Sequence, residues 1–232
     1  MPRQPSARNQ RQGPPPDIIA IRNKIKEFLD QEVAGKKIGN CRFGVYVFYD
    51  YDGEPIYVGQ TYETLRTRIR RHLTNQRTDA VAMNVLDPFE VAEIEVWPFW
   101  KLAGREADLP TARKQLSDGE YTVFQKVLRS SSFKAVLNEK NIVESSKTKL
   151  PPSYRGGIIP EDLYLGRKHP DARIARRAST IANLARVISE REVSAGLRRT
   201  LVTQAQRLER LASRRFQDFA GEVPAKPRAD EE

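Results

Sequence analysis

Two tyrosines, one arginine and one histidine stand at spacings that two strands and a helix would bring into one site. Tyr46 and Tyr57 lie eleven positions apart, on either side of an Asp-Gly turn signal at residues 52–53. Arg68 and His72 follow four positions apart, which is one helical turn. Tyrosine or histidine can take a proton from water, and arginine can hold phosphoryl oxygens. These residue types therefore suit the hydrolysis of a phosphodiester bond.

The segments around the two tyrosines have the composition of β-strands. Residues 43–49 and 56–58 are rich in β-branched and aromatic residues, so we expect an antiparallel β-hairpin. Each tyrosine has a nearby glycine, where the absence of a side chain lets another backbone or a phosphate approach. Two interpretations stay open on these residues alone: Tyr46 and Tyr57 are catalytic, or they are packed core aromatics of the sheet.

The β-hairpin leads into an arginine-rich segment with helical periodicity. We expect a helix that begins near residue 61 or 63 and ends at Leu73. Its buried side is apolar at every fourth residue: Leu65, Ile69 and Leu73. Its remaining surface carries arginines besides Arg68: Arg66, Arg70 and Arg71. A solvated basic face and a phosphate-contacting surface both agree with this composition, and we favour the second.

Together, the β-hairpin and the helix resemble the motif of the GIY-YIG nucleases. The tripeptides at 44–46 and 57–59, Gly-Val-Tyr and Tyr-Val-Gly, are similar to its two halves and have the family's typical spacing. The segment from Arg68 to His72 is similar to the helix that supplies the family's arginine and histidine. The pattern most resembles the GIY-YIG type II restriction endonucleases, where an Arg-x-x-x-His helix also follows. The resemblance covers roughly residues 40–140.

The resemblance also implies a glutamate that binds one divalent metal ion, and an asparagine beyond it. Two glutamates are candidates: Glu106, in a predicted loop or helix start, and Glu120, which opens an apolar-periodic stretch. We assign Glu120 to the metal, because the family's glutamate lies on such a helix, and Asn138 to the supporting position. The gap between them exceeds the family's usual spacing, because residues 129–132 look inserted. The implied ion is Mg²⁺, for which Mn²⁺ is an expected substitute.

The same resemblance implies a division of roles among the site residues. Tyr46 is the expected general base, with His72 assisting it or relaying its proton, while Tyr57 orients the water or the phosphate. Arg68 is expected to hold the non-bridging phosphate oxygens. Gln60 departs from the family, because many relatives have a lysine there that lowers the pKa of a tyrosine. Another cation must then supply that positive field, and the identity of the general base stays open.

Charge and composition agree with a polyanionic partner. The chain has 40 lysines and arginines against 30 acidic residues, a formal charge of +10, so we expect it to bind double-stranded DNA. The single cysteine, Cys41, excludes an intrachain disulfide and a cysteine-rich zinc site, and it suits a reducing cytoplasm. We expect no membrane partner, because no apolar leader, lipid-anchor signal or membrane-spanning run is visible.

We expect an α+β fold with a small GIY-YIG core. Its short, mainly antiparallel three-stranded sheet, with the third strand near residues 89–99, is flanked by helices. An N-terminal helix at 17–33 and a C-terminal helical hairpin complete the fold. The predicted divisions are a disordered basic tail at 1–16, the nuclease domain with its N-terminal helix at 17–160, a helical appendage for DNA contact or dimerisation at 161–219, and a disordered tail at 220–232.

Further polar residues are predicted to contact DNA: Gln60, Arg66, Arg70, Arg71, Lys147, Lys149 and Arg155. The last three lie in a predicted loop at 145–160, with Ser145 and Tyr154 as further candidates, and a solvated loop is the alternative. The helical hairpin, at 171–189 and 192–219, is predicted to pack on the core or to pair with another protomer. It is expected to expose a set of arginines: Arg173, Arg176, Arg177, Arg198 and Arg199.

Three functions stay open. The first is a Mg²⁺-dependent endonuclease of restriction or defence type, acting on duplex DNA as a homodimer beside a cognate DNA methyltransferase. The second is a repair or processing nuclease for damaged, branched or single-stranded DNA. The third is a non-catalytic DNA-binding module that keeps only the fold. The presence of Tyr46, Tyr57, Arg68, His72 and Glu120 argues against the third.

Overall fold

The central element is a four-stranded antiparallel sheet. The computed structural model describes residues 13–73, 87–102, 109–138 and 141–220. The strands are β3 (Gly44–Tyr49), β4 (Pro55–Thr61), β5 (Glu93–Pro98) and β6 (Tyr154–Gly157), in the order β4-β3-β5-β6. The α+β class, the β-hairpin and the third strand are therefore confirmed.

Strand β6 corrects the prediction of a loop over residues 145–160. It pairs with β5, so the sheet has four strands where three were predicted. The Tyr-Arg-Gly-Gly sequence of β6 lacks the alternating apolar pattern of a strand. Its extended conformation is instead fixed by hydrogen bonds to β5, which the local sequence does not reveal.

The N-terminal helix α1 (Pro16–Asp30) is shorter than the predicted 17–33. Two short strands, β1 (Glu32–Val33) and β2 (Lys36–Lys37), follow it and pair with each other. Ala34 and Gly35 form the turn between them with φ angles of 49° and 73°, in the left-handed region. A helix cannot continue through that turn, and α1 therefore ends at Asp30.

Both faces of the sheet are covered by helices. One face, which includes Val45 and Val47, packs on helix α3 (Leu109–Ser130). The other face, which includes Tyr46 and Phe48, packs on α1, on helix α2 (Leu65–Leu73) and on the C-terminal helices. Because side chains alternate along a strand, every residue of β3 is buried, and Tyr46 is directed toward α2.

Helix α3 begins well before the predicted start at Glu120. It runs through Gly119, a residue that weakens the helical signal of the sequence. A Cβ atom at position 119 would clash with the ring of Phe99, so glycine permits the helix to pack closely there. Glu120 consequently lies in the middle of a long helix, and Glu106 lies outside the described residues, as do the predicted tails apart from residues 13–16 and 220.

The C-terminal helices are α4 (Glu161–Lys168), α5 (Pro170–Glu190) and α6 (Ala195–Ala220). Helices α5 and α6 pack together as the predicted helical hairpin, and Leu184 and Leu197 join the core of the sheet's α2 face. The hairpin thus packs on the core, the first of its two predicted positions. None of the described helices is long and apolar enough to cross a membrane.

A buried ionic network joins this hairpin to the sheet and corrects the prediction of surface arginines. Arg173 and Arg177 are 2% and 4% exposed, whereas Arg198 and Arg199 are exposed as predicted. The guanidinium groups of Arg173 and Arg177 each pair with Asp50, in the turn of the β-hairpin, and with Glu90. Buried arginines require such carboxylate partners, which lie far away in the sequence.

Candidate active site

The β-hairpin places both tyrosines on the same face of the sheet. Tyr46 lies opposite Gly59, and Tyr57 lies opposite Phe48, two positions further along β3 and therefore on the same face. The tyrosine rings are stacked with centroids 6.1 Å apart. A Cβ atom at position 59 would lie 2.6 Å from the Tyr46 hydroxyl oxygen, so glycine leaves the space that this hydroxyl occupies.

Helix α2 brings Arg68 and His72 to the Tyr46 hydroxyl. The Nε atom of Arg68 donates a hydrogen bond to the Tyr46 oxygen over 3.3 Å, and His72 Nε2 lies 3.3 Å from the same oxygen. Because Arg68 donates, the hydroxyl proton can be directed to a neutral His72 Nε2. Tyr46 is fully buried and His72 is 5% exposed, so little water competes for these contacts.

A cation is fixed beside the Tyr46 oxygen. Burial disfavours the charge of Arg68, but the neighbouring oxygens of Tyr46 and Tyr57 raise its pKa above the usual arginine value. A permanent positive charge at this distance stabilises a tyrosine anion. Tyr46 is therefore a core aromatic whose hydroxyl is also held by two groups able to move or stabilise a proton.

Glu120 reaches the same region from helix α3, across β4. The backbone N–H of Gln60 donates a hydrogen bond to its carboxylate, and Arg68 attracts it electrostatically. Burial outweighs both effects and raises the pKa of Glu120 to about 7. The carboxylate thus lies near the Arg68 cation and the backbone of Gln60, but these two contacts do not offset the solvation it loses on burial.

Asn138 contacts the backbone of β4, and no hydrogen bond to the Tyr46 hydroxyl is seen among the described contacts. Its Oδ1 accepts a hydrogen bond from the Val58 N–H over 3.1 Å, and its Nδ2 donates to the Val58 carbonyl over 2.7 Å. Val58 lies between Tyr57 and Gly59, so Asn138 fixes the strand that carries the second half of the motif.

One comparison with known protein families covers most of this arrangement. Residues 42–116 match the family model described as the GIY-YIG catalytic domain. These residues, less than half of the chain, are similar to a GIY-YIG catalytic domain. The matched range contains Tyr46, Tyr57, Arg68 and His72 and ends before Glu120. No curated protein and no solved structure matches the chain.

The GIY-YIG domain indicates a nuclease that acts on DNA. The pairing of Tyr46 with Gly59 and the four-residue spacing of Arg68 and His72 are the parts of the motif that bring these groups together. Tyr57 and Gly59 lie on β4, one of the two outer strands of the sheet, while Tyr46 lies on the adjacent inner strand β3.

Glu120 has the chemistry of a Mg²⁺ ligand in this GIY-YIG site. Among the described residues, no group of three or more histidine, cysteine, aspartate or glutamate side chains could hold a metal ion. Mg²⁺ needs no such cage, because it keeps several waters and commonly takes one or two carboxylates together with phosphate oxygens of the substrate. A single carboxylate whose pKa is raised by burial fits an ion of this kind.

The predicted DNA contacts around this site differ in exposure. Arg70, Lys147, Lys149 and Arg155 are exposed to solvent. Several of the arginines form ion pairs within the chain: Arg66 pairs with Asp30, Arg71 with Glu63, and Arg155 with Glu93 while it covers the ring of Tyr49. Gln60 holds Glu120 through its backbone, and its side-chain Oε1 is buried without a hydrogen-bond partner among the described residues.

The residues that connect the helical appendage to the sheet could not be predicted from local sequence patterns. Asp50 and Glu90 accept hydrogen bonds from arginines of α5, and Asp50 also from Arg207 of α6. Single acidic residues in a turn and in a short 3-10 helix look like solvated charges. Only the packing of α5 and α6 reveals them as the attachment point.

Proposed function

We propose that the protein is a Mg²⁺-dependent endonuclease that hydrolyses phosphodiester bonds in duplex DNA. The observation that supports this most directly is the contact of one tyrosine hydroxyl with both Arg68 and His72, beside the carboxylate of Glu120. A base, a cation and a metal-binding carboxylate are the groups that such hydrolysis needs. The match of residues 42–116 to the GIY-YIG domain supports the same class of reaction.

In the proposed mechanism, Tyr46 is the general base. His72 Nε2 receives the hydroxyl proton, and Arg68 stabilises the resulting tyrosine anion, which takes a proton from the attacking water. Tyr57 is partly exposed on the same face and orients the water or the phosphate. The guanidinium of Arg68 also contacts the non-bridging oxygens of the scissile phosphate.

Glu120 is the residue that would hold the ion. When bound, Mg²⁺ acts as a Lewis acid that stabilises charge on the phosphoryl oxygens and on the leaving oxygen. Asn138 acts indirectly in this mechanism, because it fixes Val58 between Tyr57 and Gly59. Neither residue lies within the range matched to the GIY-YIG domain, so both assignments rest on position and chemistry.

Within this activity we favour a restriction or defence role. The support is the resemblance of the Arg-x-x-x-His helix to that of GIY-YIG restriction endonucleases. Such an enzyme would cut both strands as a homodimer and would act beside a DNA methyltransferase of the same specificity. A repair or processing nuclease on branched, damaged or single-stranded DNA uses the same chemistry and is the alternative.

The test is incubation of the purified protein with unmodified plasmid DNA and Mg²⁺, with every new end mapped by sequencing. EDTA and the Glu120→Gln variant serve as controls for metal dependence. Ends clustered at one short palindrome would support the restriction role. Scattered ends or nicks would support the processing role, and intact DNA in the presence of tight binding would contradict the nuclease.

A further inference from the structure

A second group of arginines surrounds a cavity at the opposite end of the β-hairpin from the candidate active site. The cavity has a volume of about 120 Å³ and lies between the hairpin turn, helix α6 and the segment that follows α3. We call it the arginine cavity. The residues that line it are Asp50, Asp52, Glu54, Ser132, Phe133, Arg177, Arg207, Arg210 and Arg214.

The carboxylates that line the arginine cavity already have hydrogen-bond partners. Asp50 Oδ2 accepts from Arg207 over 2.5 Å and from Arg177 over 3.0 Å, while Asp50 Oδ1 accepts from backbone N–H groups of its own turn. Glu54 accepts from the hydroxyl of Ser131 and from the backbone N–H of Ser132. These acids therefore have little remaining capacity to neutralise further donors.

The arginines of the cavity, in contrast, keep donors in excess. Arg207 is 2% exposed, and its Nη1 is buried without a hydrogen-bond partner among the described residues. Arg210 is exposed and stacks on Phe133, with no carboxylate within ion-pair distance in the described part of the chain. Arg214 pairs with Asp52 at 3.3 Å. A buried donor such as Arg207 Nη1 normally has a hydrogen-bond partner, and two exposed guanidinium groups lie beside it. The cavity is therefore suited to an anion with several oxygen acceptors.

The arginine cavity and the candidate active site lie at opposite ends of the hairpin formed by strands β3 and β4. Beside β4, Ser131 and Ser132 contact Glu54, the Leu137 N–H donates to the Ile56 carbonyl, and Asn138 contacts Val58. Asp50 of the cavity directly follows β3 and stands four positions after Tyr46 of the active site, a distance of roughly 14 Å at about 3.4 Å per residue. One DNA strand has a phosphate about every 3.4 Å along the helix axis, so a single strand can reach both places.

We infer that the arginine cavity binds a non-scissile backbone phosphate of the DNA strand that the active site cuts. The inference rests on the proposed function, because it identifies where the same substrate continues. The bound phosphate lies roughly four nucleotides from the cut or nearer. Arg207 Nη1, Arg210 and Arg214 supply the donors, and their contact fixes the register of the strand without reading its bases.

The test is equilibrium binding of a labelled DNA duplex in EDTA at several salt concentrations. The variant is Arg210→Gln combined with Arg214→Gln, which removes two exposed side chains and leaves the buried network in place. Arg198→Gln is the matched control, because Arg198 is an exposed arginine on the opposite side of α6. We expect the double variant to lower the slope of log K against log salt by about 1, and the control to leave it unchanged.

A single neutral methylphosphonate then locates the contact. Moved along the strand, it should weaken binding by the wild type at one position near the cut, and that penalty should disappear in the double variant. Equal slopes in all three proteins would overturn the inference. Thermal stabilisation by inorganic phosphate that is lost in the double variant, with unchanged DNA slopes, would also overturn it and indicate a site for free phosphate.

This binding test is independent of catalysis. A wild type that shows the phosphate contact but cuts no plasmid would contradict only the proposed function. A wild type that cuts, with a double variant of unchanged slope, would contradict only the arginine cavity. A wild type that neither binds nor cuts DNA would overturn both.

Discussion

The Nε atom of Arg68 donates a hydrogen bond to the hydroxyl oxygen of Tyr46, with a donor–acceptor distance of 3.3 Å. The same oxygen lies 3.3 Å from His72 Nε2, in a fully buried environment. A tyrosine that only fills the core also needs a hydrogen-bond partner for its buried hydroxyl. The catalytic and the packing interpretations of Tyr46 must therefore be separated by removing that hydroxyl.

Replacing Tyr46 by phenylalanine should abolish cleavage and keep the fold. The ring still packs on Phe48 and Tyr57, but the proton acceptor is lost, so we expect plasmid cleavage to fall by roughly a hundredfold or more. The Kd for DNA, measured in EDTA, should be nearly unchanged. Tyr121→Phe is the control, because it removes an exposed hydroxyl from α3. Cleavage at the wild-type rate in Tyr46→Phe would support the packing interpretation.

Glu120 and Glu106 can be distinguished by substitution. Glu120→Gln or Glu120→Ala should eliminate Mg²⁺-dependent cleavage and leave DNA binding largely intact, because the carboxylate is assigned to the ion. Glu106→Ala should cut normally, and Glu144→Gln removes an exposed carboxylate as the control. If the Glu106→Ala variant is inactive and the Glu120→Ala variant still cuts, the metal ligand is Glu106 and the assignment of Glu120 is wrong.

Cleavage should depend on pH through Glu120. Burial raises the pKa of this carboxyl to about 7, and only its charged form binds Mg²⁺ well. At limiting Mg²⁺ we expect cleavage to increase from pH 6 to pH 8, with a midpoint that moves to lower pH as Mg²⁺ is raised. Initial rates at two Mg²⁺ concentrations test this. If the pH midpoint of cleavage does not change with the Mg²⁺ concentration, the group that titrates is one other than Glu120, such as His72.

The same pKa predicts a loss of stability with increasing pH in the absence of metal. The folded-state pKa of Glu120, about 7, exceeds the ordinary value of 4.5. The folded protein therefore binds the extra proton between these values, and its stability falls as the pH rises through that window. Glu120→Gln should match the wild type near pH 4.5 and exceed it above pH 7 by about 3 kcal/mol. Urea unfolding in EDTA at pH 4.5 and pH 8 measures the free energy of unfolding of both proteins. The same difference between variant and wild type at the two pH values would contradict the prediction.

Asp50 should be far more important for stability than its place in a turn suggests. It accepts hydrogen bonds from Arg173, Arg177 and Arg207, all of which are buried. Asp50→Asn leaves three buried cations without their shared charge, so we expect a loss of about 3–5 kcal/mol in the free energy of unfolding. Asp218→Asn, at an exposed position of α6, should change it by less than about 0.5 kcal/mol. Urea denaturation compares the two, and a small effect at Asp50 would show that apolar packing alone attaches the appendage.

The part of the site that could be predicted from the sequence is local. Tyr46 and Tyr57 are joined by one turn, and Arg68 and His72 by one turn of helix, so short-range rules of strand pairing and helical spacing place them. The α+β class and the helical hairpin follow from the same patterns. The assignments of catalytic roles remain predictions that the variants above test.

Contacts between distant segments could not be predicted. Gly119 looks like the end of a helix, and only its packing against Phe99 explains why α3 continues through it. Arg173 and Arg177 look like a solvated stripe because their partner, Asp50, lies more than a hundred positions earlier. Strand β6 has no local signal, since its pairing depends on β5.

The outer edge of strand β4 is covered by another segment of the same chain. Leu137 and Asn138 hydrogen-bond to the backbone of Ile56 and Val58, so this side of the sheet is already occupied where a foreign strand would pair. Exposed sheet edges are sites of strand addition and aggregation. Two copies of this protein therefore cannot join their sheets through the middle of β4. A nuclease that assembles to cut both strands would have to use another surface, such as its helices, its loops or the outer edge of β6, and Tyr57 would stay partly exposed in each copy.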